Sequence, residues 1–203
     1  MKKYFLILII LLITGCKNYN ELNDLAIIKN IGIKYDNNYT LYALIIDEIN
    51  KDNVPKTKII ETSGKTINEV FENIKLIINK EIYLSHIDLI ILDENINNKN
   101  LKEIINYFLH HKEFRNDFLT VISDNIKDVL EKSKYDEIEN IIITNRDSKK
   151  IIKISFEEVM QHFLDNNTLY ISKIIFKDKL SFNGNYKYVN NKFERINNEK
   201  NRT

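Results

Sequence analysis

The chain contains little cysteine, glycine or proline, and no tryptophan. Its 203 residues include one Cys, four Gly, one Pro and no Trp. A single cysteine excludes an internal disulfide framework and any zinc site built from several thiolates. Four glycines leave no glycine-rich loop of the kind that cradles phosphate groups in nucleotide-binding proteins.

An excess of charge of either sign is also missing. The chain has 30 basic and 29 acidic residues, a formal net charge of +1. A non-specific nucleic-acid-binding protein needs a basic face that neutralises phosphates, so the charge balance argues against this class and no nucleic-acid partner is expected. Hydrophobic residues make up 43% of the chain, which is enough for the core of one folded domain.

The amino-terminal segment carries the clearest functional signal. Residues 1–16 read MKKYFLILIILLITGC, in which two lysines precede an apolar run from Tyr4 to Ile13. A helix of that length spans roughly 15 Å, about half of a bilayer core, so the run is typical of a secretory signal peptide rather than a transmembrane helix. The closing ITGC has the form of a bacterial lipobox, in which the thiol of Cys16 receives a diacylglyceryl group. An ordinary signal peptide that happens to contain a cysteine, or a buried apolar strand, is the alternative.

This interpretation divides the chain into four segments. They are a cleaved lipoprotein signal peptide (1–15), a short tether (16–24), a folded domain (25–190) and a polar tail (191–203). Two lysines leave with the leader, so no polybasic patch remains to hold the mature chain on anionic lipid. We therefore expect the lipid on Cys16 to anchor the chain on the extracytoplasmic face of a membrane.

Apolar runs separated by turn signals predict a β-sheet. The expected strands are residues 25–33, 39–49, 57–62, 87–92, 118–122, 169–176, 179–182 and 186–189. Turns are expected at Asp36-Asn37-Asn38 and at Asn183-Gly184-Asn185. The run 87–92 is continuously apolar, which is typical of a strand covered on both faces.

Three helices are expected where a capping residue precedes an apolar stripe with helical spacing. The capping pairs are Thr66 with Glu69, Asn100 with Glu103, and Ser155 with Glu158. A short helix is expected around 126–130, and 134–150 favours a helix although its isoleucines also suit a strand. The order of strands and helices predicts a mixed β-sheet with helices packed on it, which is an α+β or mixed α/β fold.

Few residues suggest catalytic chemistry. His86 precedes a buried strand, where a lone histidine is usually structural. His110 and His111 suit the negative end of a helix dipole and point about 100° apart, so they do not form a ligand pair. His162 with Glu158 could bind a metal, but an exposed i, i+4 contact is favoured. Arg115 could pair with a carboxylate. No metal or cofactor site is expected, and the sequence predicts no enzyme.

Several short segments, in order, resemble one family of bacterial lipoproteins. They are the lipobox, ELNDLAII (21–28), IGI (31–33), GKTI (64–67), YLSHIDLIIL (83–92), NYFL (106–109), EFR (113–115), FLTVI (118–122) and DVL (128–130). This order and spacing resembles the Ger(x)C family, the C-subunit lipoproteins of nutrient germinant receptors in endospore-forming bacteria. The similarity covers residues 1–130 well and 150–190 loosely.

The resemblance implies a non-enzymatic receptor subunit in nutrient-triggered germination. It would lie on the outer face of the spore inner membrane, beside two integral-membrane subunits of the germinant receptor. Only Cys16 carries over with a defined role, as the lipid attachment site. Five further residues match family-like positions and are structural or interface candidates: Glu21, Gly32, Gly64, His86 and Arg115.

The sequence departs from the family pattern in two respects. Members often have Trp-Asp after the lipidated cysteine, where this chain has Lys17-Asn18. Members are also longer, and their usual carboxyl-terminal domain is expected to be absent here. The lipobox by itself also fits an extracytoplasmic substrate-binding or adhesive surface lipoprotein. An envelope enzyme is a third hypothesis, and it rests only on His86 and His162.

Overall fold

The computed structural model describes residues 25–49, 55–133, 136–144, 151–165 and 167–196. Within these ranges the chain forms a mixed β-sheet with helices on both faces, which confirms the predicted α+β fold. The predicted leader and tether, with Cys16 and Glu21, lie outside the described residues. None of the helices in these ranges is long and apolar enough to cross a membrane.

The sheet opens with an antiparallel meander. Its strands are β1 (Leu25–Asp36), β2 (Asn38–Ile49) and β3 (Pro55–Gly64). β1 turns into β2 at Asn37, whose φ of 62° lies in the left-handed region that asparagine tolerates better than most residues. The turn and the opening hairpin are as predicted.

The alternation of side chains between the two faces of the sheet is interrupted halfway along β1. The pairing with β2 shifts between Ile28 and Asn30, which marks a β-bulge. Because of this extra residue, Ile28 and Ile31 belong to the same hydrophobic core although they are three positions apart. Gly32 consequently faces the opposite side of the sheet.

The centre of the sheet is parallel. β1 pairs with β4 (Glu81–Tyr83) and β5 (Leu89–Asp93), and β5 pairs with β6 (Leu119–Ser123). Every residue of β5 and β6 is buried, which confirms that the run 87–92 contains a strand covered on both faces. The three-residue strand β4 was not predicted.

The sheet closes with a second meander. β7 (Leu169–Phe176) is parallel to β6 and antiparallel to β8 (Leu180–Val189), which pairs with β9 (Lys192–Arg195). The turn predicted at residues 183–185 is wrong, because these residues lie within β8. Gly184, with φ 95°, forms a bulge there.

The turn between β8 and β9 lies at Asn190 and Asn191. Their φ values of 50° and 64° are both left-handed, as a two-residue hairpin turn that matches strand twist requires. The polar composition of 191–203 predicts a tail, but residues 192–195 form β9 and Phe193 is buried.

Five helices are described. They are α1 (Ile67–Ile77), α2 (Asn98–His110), α3 (Ile126–Lys132), α4 (Glu137–Thr144) and α5 (Phe156–Leu164). Ser155 and Glu158 form the predicted capping box of α5. The helix favoured within 134–150 is confirmed as α4. The predicted start of α2 is wrong by three residues, because the side chain of Asn97 is the N-cap and accepts from the backbone N–H of Asn100, 3.0 Å away.

Two hydrophobic cores lie on opposite faces of the sheet. Helices α1, α2 and α5 cover one face, and α3 and α4 cover the other. The first core contains a continuous aromatic cluster, so core packing accounts for much of the aromatic content. Its rings belong to Phe71, Tyr107, Phe108, Phe114, Phe118 and Phe156.

Candidate functional site

The residues singled out by the sequence are spread over the fold. Gly32 lies in β1, Gly64 ends β3, His86 lies between β4 and β5, and Arg115 precedes β6. The structure does not bring these four residues into one site. Each is therefore described with its own surroundings, before the polar cleft that the structure does assemble.

Gly32 permits close packing of α3 on the sheet. A Cβ atom at this position would lie 2.1 Å from Cγ2 of Ile126 and 3.2 Å from Cδ1 of Leu130. The first distance is far below van der Waals contact, so only glycine allows α3 to sit this close to β1.

Gly64 stands at the entry to α1. A Cβ there would lie 3.0 Å from the Cβ and Cγ of Glu69. The Glu69 carboxylate accepts from the backbone N–H of Lys65 at 2.8 Å, and Thr66 Oγ1 accepts from the N–H of Glu69 at 3.2 Å. The predicted cap is confirmed, with Glu69 reaching one residue further back than the usual box.

His86 and Arg115 make local contacts. The imidazole of His86 lies 5.1 Å from the ring of Tyr83, measured between centroids. The guanidinium of Arg115 donates to Asp117 at 2.7 Å, and its side chain is 61% exposed. Asp117 is thus the carboxylate partner that the sequence could not name. The exposure leaves most of Arg115 available to another surface.

The other three histidines lie in or directly after the last turn of a helix. His110 and His111 each donate through Nδ1 to the carbonyl four residues earlier, both at 2.7 Å. The expected contact between His162 and Glu158 is wrong. The Glu158 carboxylate instead accepts from Ser155, and Nδ1 of His162 is buried without a hydrogen-bond partner in the described part of the chain.

A polar cleft forms where parallel strands β1, β5 and β6 end. The carboxyl ends of parallel strands meet at one edge of a sheet, which is the usual position of ligand sites in α/β proteins. This carboxyl-end cleft has a volume of about 220 Å³. It is lined by Lys34, Tyr42, Asp93, Asp124, Asn125, Ile126, Lys127 and Asp128.

A buried lysine forms an ion pair with Asp124, one of the residues that line the carboxyl-end cleft. Nζ of Lys173 donates to Glu94 at 2.6 Å and to Asp124 at 2.9 Å, and the lysine side chain is only 7% exposed. Burial by itself lowers the pKa of Lys173, but the hydrogen bonds to these two carboxylates outweigh it and raise the pKa. The lysine is therefore charged at neutral pH and ties β7 to the ends of β5 and β6.

Asparagine and serine side chains fix the loop after β6. Ser123 donates to Oδ1 of Asn125 at 3.0 Å, and Nδ2 of Asn125 donates to the carbonyl of Phe176 at 2.8 Å. The loop is thereby attached to the end of β7. Both contacts fix the position of Asn125, which lines the cleft.

Asp93 is the buried acid of the carboxyl-end cleft. It is 5% exposed, and its Oδ1 accepts from the backbone and side-chain nitrogens of Asn95 at 2.9 and 3.3 Å. Burial raises the pKa of Asp93 above its ordinary value of 3.8, and the Asn95 hydrogen bonds and the charge of Lys34 oppose that shift without cancelling it. A carboxylate in this state costs the fold stability when it ionises.

The Asp93→Asn variant is expected to be more stable than the wild type at pH 7, by up to about 1 kcal/mol. Asparagine keeps the acceptor for Asn95 and removes the buried charge. Because the pKa is raised, the stability from protonated Asp93 is full below 3.8 and is lost as the pH rises through the folded pKa. The advantage of the variant should therefore grow from pH 4 to pH 7 in urea unfolding.

Asp128→Asn is the matched control for this prediction, because Asp128 lines the same cleft but pairs with Lys132 at the exposed surface of α3. We expect it to change stability by less than about 0.5 kcal/mol. If the Asp93→Asn variant were instead less stable than the wild type at pH 7, the ionised carboxylate of Asp93 would be stabilising the folded protein, which contradicts the prediction.

The chemistry available in the carboxyl-end cleft is charge recognition. Ammonium and carboxylate groups line it together. In the described ranges, no group of three or more His, Cys, Asp or Glu side chains could hold a metal ion. The sequence did not indicate this cleft, because its residues come from four elements. The available local signal was a run of polar residues directly after each buried strand.

Comparison with known proteins identifies one curated relative and one matching family. No solved structure matches it. It is 23% identical over 182 residues to "Spore germination protein KC" of Bacillus subtilis (strain 168), an alignment that covers 79% of this chain and 45% of that protein. The chain thus spans less than half of that curated relative. The model of the family described as "Spore germination protein N-terminal domain" matches residues 18–175, and the chain belongs to this family of spore germination proteins.

Proposed function

We propose that this chain is a lipid-anchored, non-catalytic subunit of a spore germinant receptor complex, acting in nutrient-triggered germination. The observation that carries the proposal is the family match over residues 18–175, which begins two positions after the lipobox cysteine Cys16. Family membership supports a role in spore germination. The lipobox supports placement of that role at a membrane surface.

A non-catalytic role agrees with the chemistry of the described residues. The family is one of germination proteins and not of known enzymes. The histidines on which the enzyme hypothesis rested have other surroundings: His86 packs on Tyr83, and His162 lies apart from the carboxylate of Glu158. Neither forms a nucleophile–base pair within the ranges that the structure covers.

The partners in this proposal are the integral-membrane subunits of the receptor. With lipid on Cys16, only eight residues separate the anchor from Leu25 at the start of β1. A chain of that length reaches at most about 30 Å when fully extended. The folded domain would therefore stay close to the outer face of the spore inner membrane, within contact of proteins embedded there.

Affinity purification from spore membranes tests this proposal. A carboxyl-terminally tagged chain, expressed at its native level and extracted in mild detergent, is expected to retain integral-membrane receptor polypeptides. Its gene is expected beside theirs. An untagged strain provides the background. Recovery of the chain alone, or its expression only in growing cells, would contradict the proposal and favour a substrate-binding or adhesive surface lipoprotein.

A further inference from the structure

A second and larger cavity lies away from the carboxyl-end cleft. It has a volume of about 440 Å³, which is within the range of small-molecule sites. It is a concave, partly open site bordered by the start of α2, the last turn of α5, the start of β7 and the β8–β9 hairpin. The residues that line this α2–α5 cavity include Lys102, His162, Phe163, Leu169, Tyr188 and Val189.

Two residues that line the α2–α5 cavity each carry a polar atom without a hydrogen-bond partner among the described residues. Nδ1 of His162 and the hydroxyl of Tyr188 are both buried and form no hydrogen bond within the described residues. A buried polar atom without a partner costs roughly 1–3 kcal/mol, so most proteins supply it with a water or a ligand. Both atoms belong to side chains that line one cavity, which gives them a common explanation.

The charge around the α2–α5 cavity has one sign. Lys102 is the charged lining residue in the described part of the chain, and no carboxylate lines the cavity there. The neighbouring Glu103 is directed elsewhere, since it accepts from the Tyr39 hydroxyl at 2.5 Å. The first turn of α2 contains no acidic residue, so the positive end of its dipole is not offset locally.

The cavity also has an apolar side. Phe163, Leu169 and Val189 line it, and Leu169 is almost fully buried. Burial raises the pKa of Tyr188 to about 12, so its hydroxyl is protonated at neutral pH and can donate. A positive charge, a free hydroxyl donor and an apolar wall together suit an anion that carries a hydrocarbon part.

We infer that the α2–α5 cavity binds a small organic carboxylate. The carboxylate accepts hydrogen bonds from the Tyr188 hydroxyl and pairs with Lys102. Its hydrocarbon part packs against Phe163 and Leu169. The α2–α5 cavity and the carboxyl-end cleft share no lining residue, so the two sites are separate.

Calorimetric titration of the purified full chain tests the inference with four probes. They are hexanoate and benzoate as carboxylates, with hexanol and hexylamine as the neutral and cationic counterparts at equal ionic strength. We expect both carboxylates to bind at least tenfold more tightly than hexanol and hexylamine, because a hydrogen bond to a charged group contributes about 1.5–3 kcal/mol. Equal binding of all four probes, or none, would overturn the inference.

Variants locate the site. Lys102→Gln and Tyr188→Phe are each expected to weaken hexanoate binding about tenfold. Lys192→Gln, on the 65% exposed lysine of β9 outside the cavity lining, is the matched control and should bind as the wild type does. Equal affinities of the Lys102→Gln and Lys192→Gln variants would remove Lys102 from the site.

The unliganded Tyr188→Phe variant provides an independent readout. Because the hydroxyl has no partner among the described residues, its removal should not lower the melting temperature of the free protein. A lower melting temperature together with unchanged hexanoate affinity would assign the hydroxyl to the fold and contradict its role in binding.

Discussion

Cys16→Ser is expected to abolish acylation of the chain completely. In a lipobox the thiol accepts the diacylglyceryl group, and removal of the leader follows that transfer. Serine is nearly isosteric with cysteine but has no thiol, so the variant should incorporate no labelled fatty acid. Mass spectrometry should then find a chain that begins at residue 1 rather than at residue 16.

In the proposed function, the strength of membrane anchoring depends on this modification. Each buried methylene contributes about 0.8 kcal/mol to membrane binding, and stable attachment takes more than a single acyl chain. In the proposed lipidated form, Lys2 and Lys3 are removed from the 30 basic residues, which leaves 28 against 29 acidic residues, so electrostatic attraction to anionic lipid adds little. Acyl incorporation, followed by extraction of the membrane fraction with high salt, therefore measures the anchor directly.

Ile13→Leu is the matched control for Cys16→Ser. It keeps a branched aliphatic residue three positions before the cysteine, so processing and labelling should match those of the wild type. Retained label in the Cys16→Ser chain, or removal of the leader at the same bond, would contradict the lipobox assignment. An ordinary signal peptide would then be the better interpretation.

Gly32→Val is expected to lower the free energy of unfolding by about 3 kcal/mol. The first added carbon would already lie 2.1 Å from Cγ2 of Ile126, so α3 must move away from β1 or the strand must distort. Displacement of α3 would also shift Asn125 and Lys127 at the carboxyl-end cleft. Urea unfolding of the purified chain, followed by circular dichroism, measures the loss.

Compensation at Ile126 distinguishes a steric effect from a backbone effect. Ile126→Ala by itself should cost about 2–4 kcal/mol, because it leaves a cavity under α3. In the double variant the valine fills part of that space. The free energy of unfolding should therefore fall by at least about 1 kcal/mol less than the sum of the two single losses. Full additivity would show that the glycine is required for another reason.

Gly64→Ala is the control for Gly32→Val. Its Cβ would lie 3.0 Å from Cβ and Cγ of the exposed Glu69, so a shift of a few tenths of an ångström relieves the contact and we expect a loss below about 1 kcal/mol. If both glycine substitutions cost the same, the close approach of α3 would not be the distinguishing feature of Gly32.

Local patterns in the sequence were sufficient for most of the elements. The apolar run before Asp93 and the capping residues Thr66 and Ser155 predict β5, α1 and α5, because burial and capping act over a few residues. The start of α2 was misplaced since Asn97 and Asn100 are both good caps, and the buried position of Asn100 decides between them.

Features that depend on distant partners could not be predicted. Gly184 is a turn signal in any sequence, but opposite Lys173 it forms a bulge within a ladder. β4 is stable as three residues only because β1 is already in place beside it. The carboxyl-end cleft and the α2–α5 cavity each combine residues from several elements, so they exist only once the topology is known.

The junction between β6 and β7 has a consequence for cooperativity. Register pairing there is limited to Ile122 with Lys173, whereas β7 and β8 pair over seven positions. The closing meander is therefore joined to the rest of the sheet mainly by side-chain packing, by the two ion pairs of Lys173 and by the hydrogen bond from Asn125 to Phe176. Residues 169–195 can thus open as one foldon, with amide protons that exchange together and ahead of those in β5.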